Sequence, residues 1–289
     1  MTTLRKVLLG SALGLGIGLA PLAAHATPYA FASNNITGLT VTFNDGTGLT
    51  SVTGATTTIS DTAQFGGAGT NFQNNGIVGN ALDITQATAG PGPFPGENTF
   101  TQALTAANGT RSDSHIGAGS ATTGGVTVQN VAEGRGTLLG NSSANNNAAI
   151  TFAVTGTGKP VQLSFLDAIS LIASTAAATN EFASASISNS FQITPLGQST
   201  PIATFQPSAL NQTITSQSGV PPTNSAAQSF AGSFTTPTLL NGVTYTISLF
   251  SASSDSITPN SLAVPEPAGL ALLGSGLLGL GALRRRWRR

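Results

Sequence analysis

Between residues 39 and 249 the chain repeatedly alternates apolar side chains with threonine, serine or alanine at a period of two. Leu39, Val41 and Phe43 alternate with Thr40 and Thr42, and Ile150, Phe152 and Val154 with Thr151 and Ala153. Val161, Leu163, Phe165, Ile169 and Leu171 share one parity, interrupted by Asp167. Ala183, Ala185, Ile187, Phe191 and Ile193 face away from Ser184, Ser186 and Ser188, and Val243, Tyr245, Ile247 and Leu249 away from Thr244, Thr246 and Ser248. A strand points successive side chains to opposite faces, so each run has one apolar and one hydroxyl-rich face. Antiparallel sheets packed through one face suit that pattern. The one helix competitor, residues 167–180, reads better as a strand running into a loop.

Turn residues separate the runs: Asn44, Asp45 and Gly46; the stretch GPGPFPG at 90–96; Gly156 and Gly158; GVPP at 219–222; Asn241 and Gly242. The fold class is therefore all-β, a β-sandwich or jelly-roll-like domain with long loops. The polar segment 66–125 reads as the place for those loops, and no repeat of fixed period is present.

Charge is scarce and segregated. Between residues 27 and 264 stand three basic residues, Arg111, Arg135 and Lys159, against nine acidic ones. Nucleic-acid binding needs clustered cations to neutralise phosphates, and the body has none. With no cysteine, disulfides, thiolate metal sites and thiol nucleophiles are excluded.

Both ends carry targeting patterns. Arg5 and Lys6 precede an apolar run at 7–20, and Ala24 and Ala26 set up an A-x-A cleavage site before Thr27, the three-part signature of a secretory signal peptide at 1–26. Near the other end, residues 268–283 are uncharged and mostly apolar. As a helix at ~1.5 Å per residue they would span roughly 24 Å, short of a ~30 Å hydrocarbon core but workable with snorkelling arginines. Arg284, Arg285, Arg286, Arg288 and Arg289 follow and should stay cytoplasmic, leaving the body across the membrane. Pro265, Glu266 and Pro267 precede the apolar run as an extended strip that no helix can enter. The division read from the sequence is a signal peptide at 1–26, a β-rich extracytoplasmic domain at 27–252, a linker at 253–263 and a sorting segment at 264–289.

That terminal arrangement resembles the PEP-CTERM sorting signal. The resemblance implies a Gram-negative source, recognition at Pro265, Glu266 and Pro267 by an exosortase-type membrane protease, and removal of the tail. It also implies the cell surface or an exopolysaccharide matrix as the destination, with signal peptidase expected to act at the other end and the inner membrane to hold the chain transiently. A permanent single-pass anchor is the alternative.

Chemistry is hard to find in the body. His115 is its one histidine, in the run Arg111, Ser112, Asp113, Ser114, His115, which reads as a polar loop rather than a triad, since triads are assembled in space. A metal site and a cofactor are not expected: one histidine without cysteine makes zinc improbable, and no calcium-loop, phosphate-loop or nucleophile-elbow motif occurs. Asp45, Asp61, Asp83, Glu97, Asp113, Glu133, Asp167, Glu181 and Asp255 are spread singly. Asp167, which interrupts an apolar face, and Glu181, which precedes the next strand, are the pair to test for glycosidase-like acid–base work. The expectation is a non-enzymatic exported surface or matrix protein, with a secreted carbohydrate-active enzyme or a carbohydrate-binding adhesin as alternatives.

Overall fold

The computed structural model describes residues 28–49, 52–104, 108–120, 125–136, 141–175, 181–217, 223–224 and 228–259. The signal peptide at 1–26 and the sorting segment at 264–289 lie outside these residues, as do their expected helices. The described chain is all-β apart from one short 3-10 turn, η1 (Ser208–Leu210). The strands are β1 (Tyr29–Phe43), β2 (Val52–Phe65), β3 (Ala68–Ile77), β4 (Leu82–Asp83), β5 (Ala87–Gly92), β6 (Asn108–Ile116), β7 (Val126–Arg135) and β8 (Ser142–Thr155). They continue with β9 (Val161–Ser174), β10 (Phe182–Pro195), β11 (Ala203–Phe205), β12 (Gln212–Gln217), β13 (Thr223–Asn224), β14 (Gln228–Thr235) and β15 (Thr244–Thr258).

Two antiparallel sheets pack face to face. The first runs β13-β9-β1-β7-β6-β4, with β14 also on β9 and β5 on β6; the second runs β11-β10-β15-β8-β2-β3, with β12 also on β10. The five alternating runs lie in β1, β8, β9, β10 and β15 with their apolar parity buried, apart from half-buried Val243 just ahead of β15: Val161, Leu163, Ile169 and Leu171 of β9 meet Ile187, Phe191 and Ile193 of β10 in one core. Phe165 stacks on Phe191 with ring centroids 4.7 Å apart.

The first strand shows how sequence parity and burial are reconciled. Ala30, Ala32, Asn34 and Ile36 are buried on even positions, but Leu39, Val41 and Phe43 on odd ones. A bulge between them shifts the register against both β7 and β9. Gly38 sits in it at φ 62°, a left-handed conformation that costs glycine little. The extra residue returns the second half of the strand to the core.

Two expectations need correction. Residues 66–125 hold four strands, β3 to β6, beside irregular stretches such as 93–104, so the loops expected there fill only part of the segment. β3 is exposed along most of its length, and β6 is buried on both faces, so neither shows apolar–polar alternation. The linker expected at 253–263 begins too early: β15 continues to Thr258, paired with β10 as far as Phe182 and with β8 as far as Ser142. Ser253 and Asp255 look linker-like in sequence but face the interior, at 1% and 4% exposure.

Candidate functional site

The interior between the sheets is apolar at one end and polar at the other. Asn34 of β1 donates through Nδ2 to Asn189 Oδ1 at 2.8 Å and Ser251 Oγ at 2.6 Å on the opposite sheet. Asn130 of β7 donates to Ser251 Oγ at 2.8 Å, and Asn146 of β8 donates back across to the Val131 carbonyl at 2.8 Å. Asp61 of β2 accepts from Ser112 and Ser114 of β6 at 3.0 and 2.7 Å. These bonds tie the sheets together at fixed pairs, where apolar side chains alone would tolerate sliding.

Three carboxyls are sunk into this seam. Burial pushes Asp61 and Asp167 up to about 7 and Asp255 well above the usual carboxylate range. Among the described residues, Asp61 Oδ2, Asp167 Oδ1 and Asp255 Oδ2 have no hydrogen-bond partner. A carboxyl so placed is held protonated at mildly acidic pH, because charging it without a partner in a low-dielectric interior is costly.

A second polar cluster lies on the outer face of the first sheet. Because Ser112 and Ser114 point inward to Asp61, their neighbours Arg111, Asp113 and His115 point outward. The polar loop expected at 111–115 is thus a strand, and the Ser/His/Asp grouping is split between two faces. Arg111 is fully buried, its Nε 2.7 Å from Glu133 Oε2. The irregular segment 93–104 crosses this face as a strap. Its Thr99 and Thr101 carbonyls accept from the Arg111 guanidinium at 2.6 and 2.7 Å. Its Ala103 and Leu104 amides donate to Glu133 Oε1, each at 2.9 Å, and Tyr29 adds its hydroxyl at 2.6 Å. Further along, Asn98 spans two carboxylates, its backbone N–H donating to Asp113 and its side-chain amide to Asp83.

The pair singled out for acid–base chemistry does not form. Asp167 meets Asn189 of β10 at 3.3 Å, whereas Glu181 precedes the start of that strand, eight residues away. At ~3.3 Å per residue that is roughly 26 Å of extended chain. Both carboxyls are buried, at 2% and 6% exposure, so this pair does not flank an open cleft. Among the described residues no group of three or more histidines and carboxylates is placed to hold a metal ion. A surface groove of about 310 Å³ crosses β1, β9 and β14, with Asn35, Thr37, Leu166, Ala168 and Ser229 among its lining.

Sequence reasoning missed the Arg111–Glu133 pair. Its signal is the scarcity of charge itself: an arginine inside a nine-residue strand of a body with three cations has something to hold.

The residues expected to act as an address, Pro265, Glu266 and Pro267 with the five arginines, lie outside the described residues, as do Ala24, Ala26 and Thr27 of the expected signal-peptide cleavage site. The fold nevertheless fixes where the tail leaves. Ala30 pairs with Gly134, and a side-chain carbon on Gly134 would stand 2.2 Å from Asp255 Oδ2, so the start of β1 and the end of β15 share one pole. Among the described residues no helix is long and apolar enough to cross a membrane. Residues 263–286 match a family model, the PEP-CTERM protein-sorting motif. No curated protein and no solved structure matches the chain.

Proposed function

We propose that this chain, whose PEP-CTERM motif implies exosortase-dependent sorting of an exported protein, is a non-catalytic component of the cell surface or exopolysaccharide matrix. Signal peptidase releases the N-terminal end before Thr27. The tail holds the chain transiently in the inner membrane, and an exosortase acts at or near Pro265, Glu266 and Pro267. The observation that carries this reading is the sorting motif at 263–286, following closely on a strand that ends at Thr258. A sandwich with few charges and hydroxyl-rich outer faces is suited to close contact with neighbouring chains or neutral polysaccharide, because few charges must be desolvated.

The test compares wild-type cells with cells lacking the processing protease. Sorting requires that the protein gain the mass of its tail and stay with the membrane in the mutant. The same mass and location in both strains would defeat the proposal.

The groove across β1, β9 and β14 favours a second reading, a carbohydrate-binding adhesin. Leu166 lies within it at 59% exposure, an apolar pad rimmed by Asn35, Thr37 and Ser229, the arrangement a sugar ring needs. Glycan capture by the exported protein, lost in Leu166→Asp, would support it.

A further inference from the structure

We propose that β3 is a docking edge for a second copy of this chain, the two strands pairing antiparallel about a two-fold axis to join their sheets into one. β3 is the last strand of its sheet, paired with β2 on one side and, among the described residues, with no strand on the other. The tight turn pairs Phe65 with Ala68, so alternate residues from Ala68 bond to β2. Gly69, Asn71, Gln73 and Asn75 therefore turn their backbone groups to the open side. Among the described residues only the Asn75 N–H of these is met, by Asn74 Oδ1 at 2.9 Å.

Exposed edges are normally blunted by short length, lysine, proline or cover. The other edges here follow that rule: β4 has two residues and β11 three, and β5 contains Pro91. β12 and β14 lean on each other through Gln212 and Gln228, while Phe205 of β11 stacks on Phe234 of β14. β3 has ten residues, AGTNFQNNGI, without proline or charge. Self-pairing thus brings no like charges together, and Asn71, Gln73 and Asn75 offer amides that both donate and accept. In the register centred on Phe72, Asn71 faces Gln73 of the second copy, Gly69 faces Asn75, and the two Phe72 rings, 37% exposed in one copy, cover each other. The pairing deepens the reading of the protein as a matrix component, but its test is made in solution and fails separately from the sorting test.

The experiment uses protein recovered after export. Light scattering should give a dimer mass that Gln73→Lys shifts toward monomer by about tenfold in dissociation constant, a loss near 1.4 kcal/mol. Gln73→Pro, which removes only an outward N–H, should act likewise while leaving the fold intact by circular dichroism. Because the chain has no cysteine, Phe72→Cys supplies a single thiol. It should crosslink two copies under mild oxidation, whereas Leu196→Cys, on an exposed loop, should not. Monomer at all concentrations, equal crosslinking at both positions, or a dimer indifferent to the Gln73 variants would overturn the proposal.

Discussion

Arg111 and Glu133 form an ion pair at 2.7 Å with both side chains fully withdrawn from water, and the strap 93–104 closes over it. The pair holds the strap rather than the sheet, which β6 and β7 already join through their own ladder. Glu133→Gln leaves the guanidinium buried without its counter-ion and should cost about 3–5 kcal/mol in chemical denaturation. The same variant should expose the strap to limited proteolysis near Thr99. An Arg111→Met, Glu133→Leu double variant should recover most of the stability and little of the strap's protection, separating the two roles.

The buried carboxyls reverse the common pH trend. Asp61 and Asp167 are raised from 3.8 to about 7, and burial raises Asp255 well above 3.8. The folded state therefore binds these protons more tightly than the unfolded chain does. The contribution of Asp61 and Asp167 is complete below about pH 4 and is lost as pH rises through about 7. A carboxyl raised that far by burial contributes at most about 4 kcal/mol. Asp45 works the other way, held below the usual range by Lys159, but on the surface, where solvent screens it. Urea denaturation should show greater stability at about pH 5 than at about pH 8, with a flatter profile in Asp61→Asn. A profile rising from pH 5 to pH 8 would contradict the burial argument.

The sequence revealed those strands whose two faces have different surroundings. β9 and β10 alternate because one side packs on the opposite sheet and the other meets water. β6 was illegible: with the seam on one side and the strap on the other, polar residues satisfied by Asp61 and Glu133 occupy both. Asp167 was conspicuous as a break in an apolar parity, yet its partner Asn189 is reached only through the third dimension. The sorting motif at 263–286 was legible without any fold, because its match rests on local residue order alone.

Gly134 illustrates a constraint that no local pattern reveals. A Cβ there would meet Asp255 Oδ2 at 2.2 Å and Ile257 Cδ1 at 3.1 Å. Asp255 cannot withdraw freely, since its other oxygen accepts from the Ala144 N–H at 2.9 Å. Gly134→Ala should cost about 1–3 kcal/mol by overpacking. Combining it with Asp255→Ala should cost clearly less than the sum of the two single changes, because the second removes the clash created by the first. Strict additivity in thermal or urea melts would show that the glycine and the carboxyl do not meet.

The boundary of the domain gives the sharpest test of the fold. A chain stopped after Ala252 would be complete if residues 253–263 were a linker. Here it loses the part of β15 running from Ser253 to Thr258, which pairs with β10 on one side and, through Ile257, with β8 on the other. Ile257, fully buried, is worth roughly 2–5 kcal/mol by itself. Asn146 loses Ser253, whose N–H and Oγ both donate to it, and becomes a buried amide short of partners. Against a total stability of about 5–15 kcal/mol, the sum of these losses should leave the shorter chain unfolded. A chain stopped after Pro259 keeps every described pairing and should melt cooperatively with a β-sheet spectrum. A folded, cooperative chain ending at Ala252 would mean that the last stretch of pairing, and the common pole from which the tail departs, is misplaced.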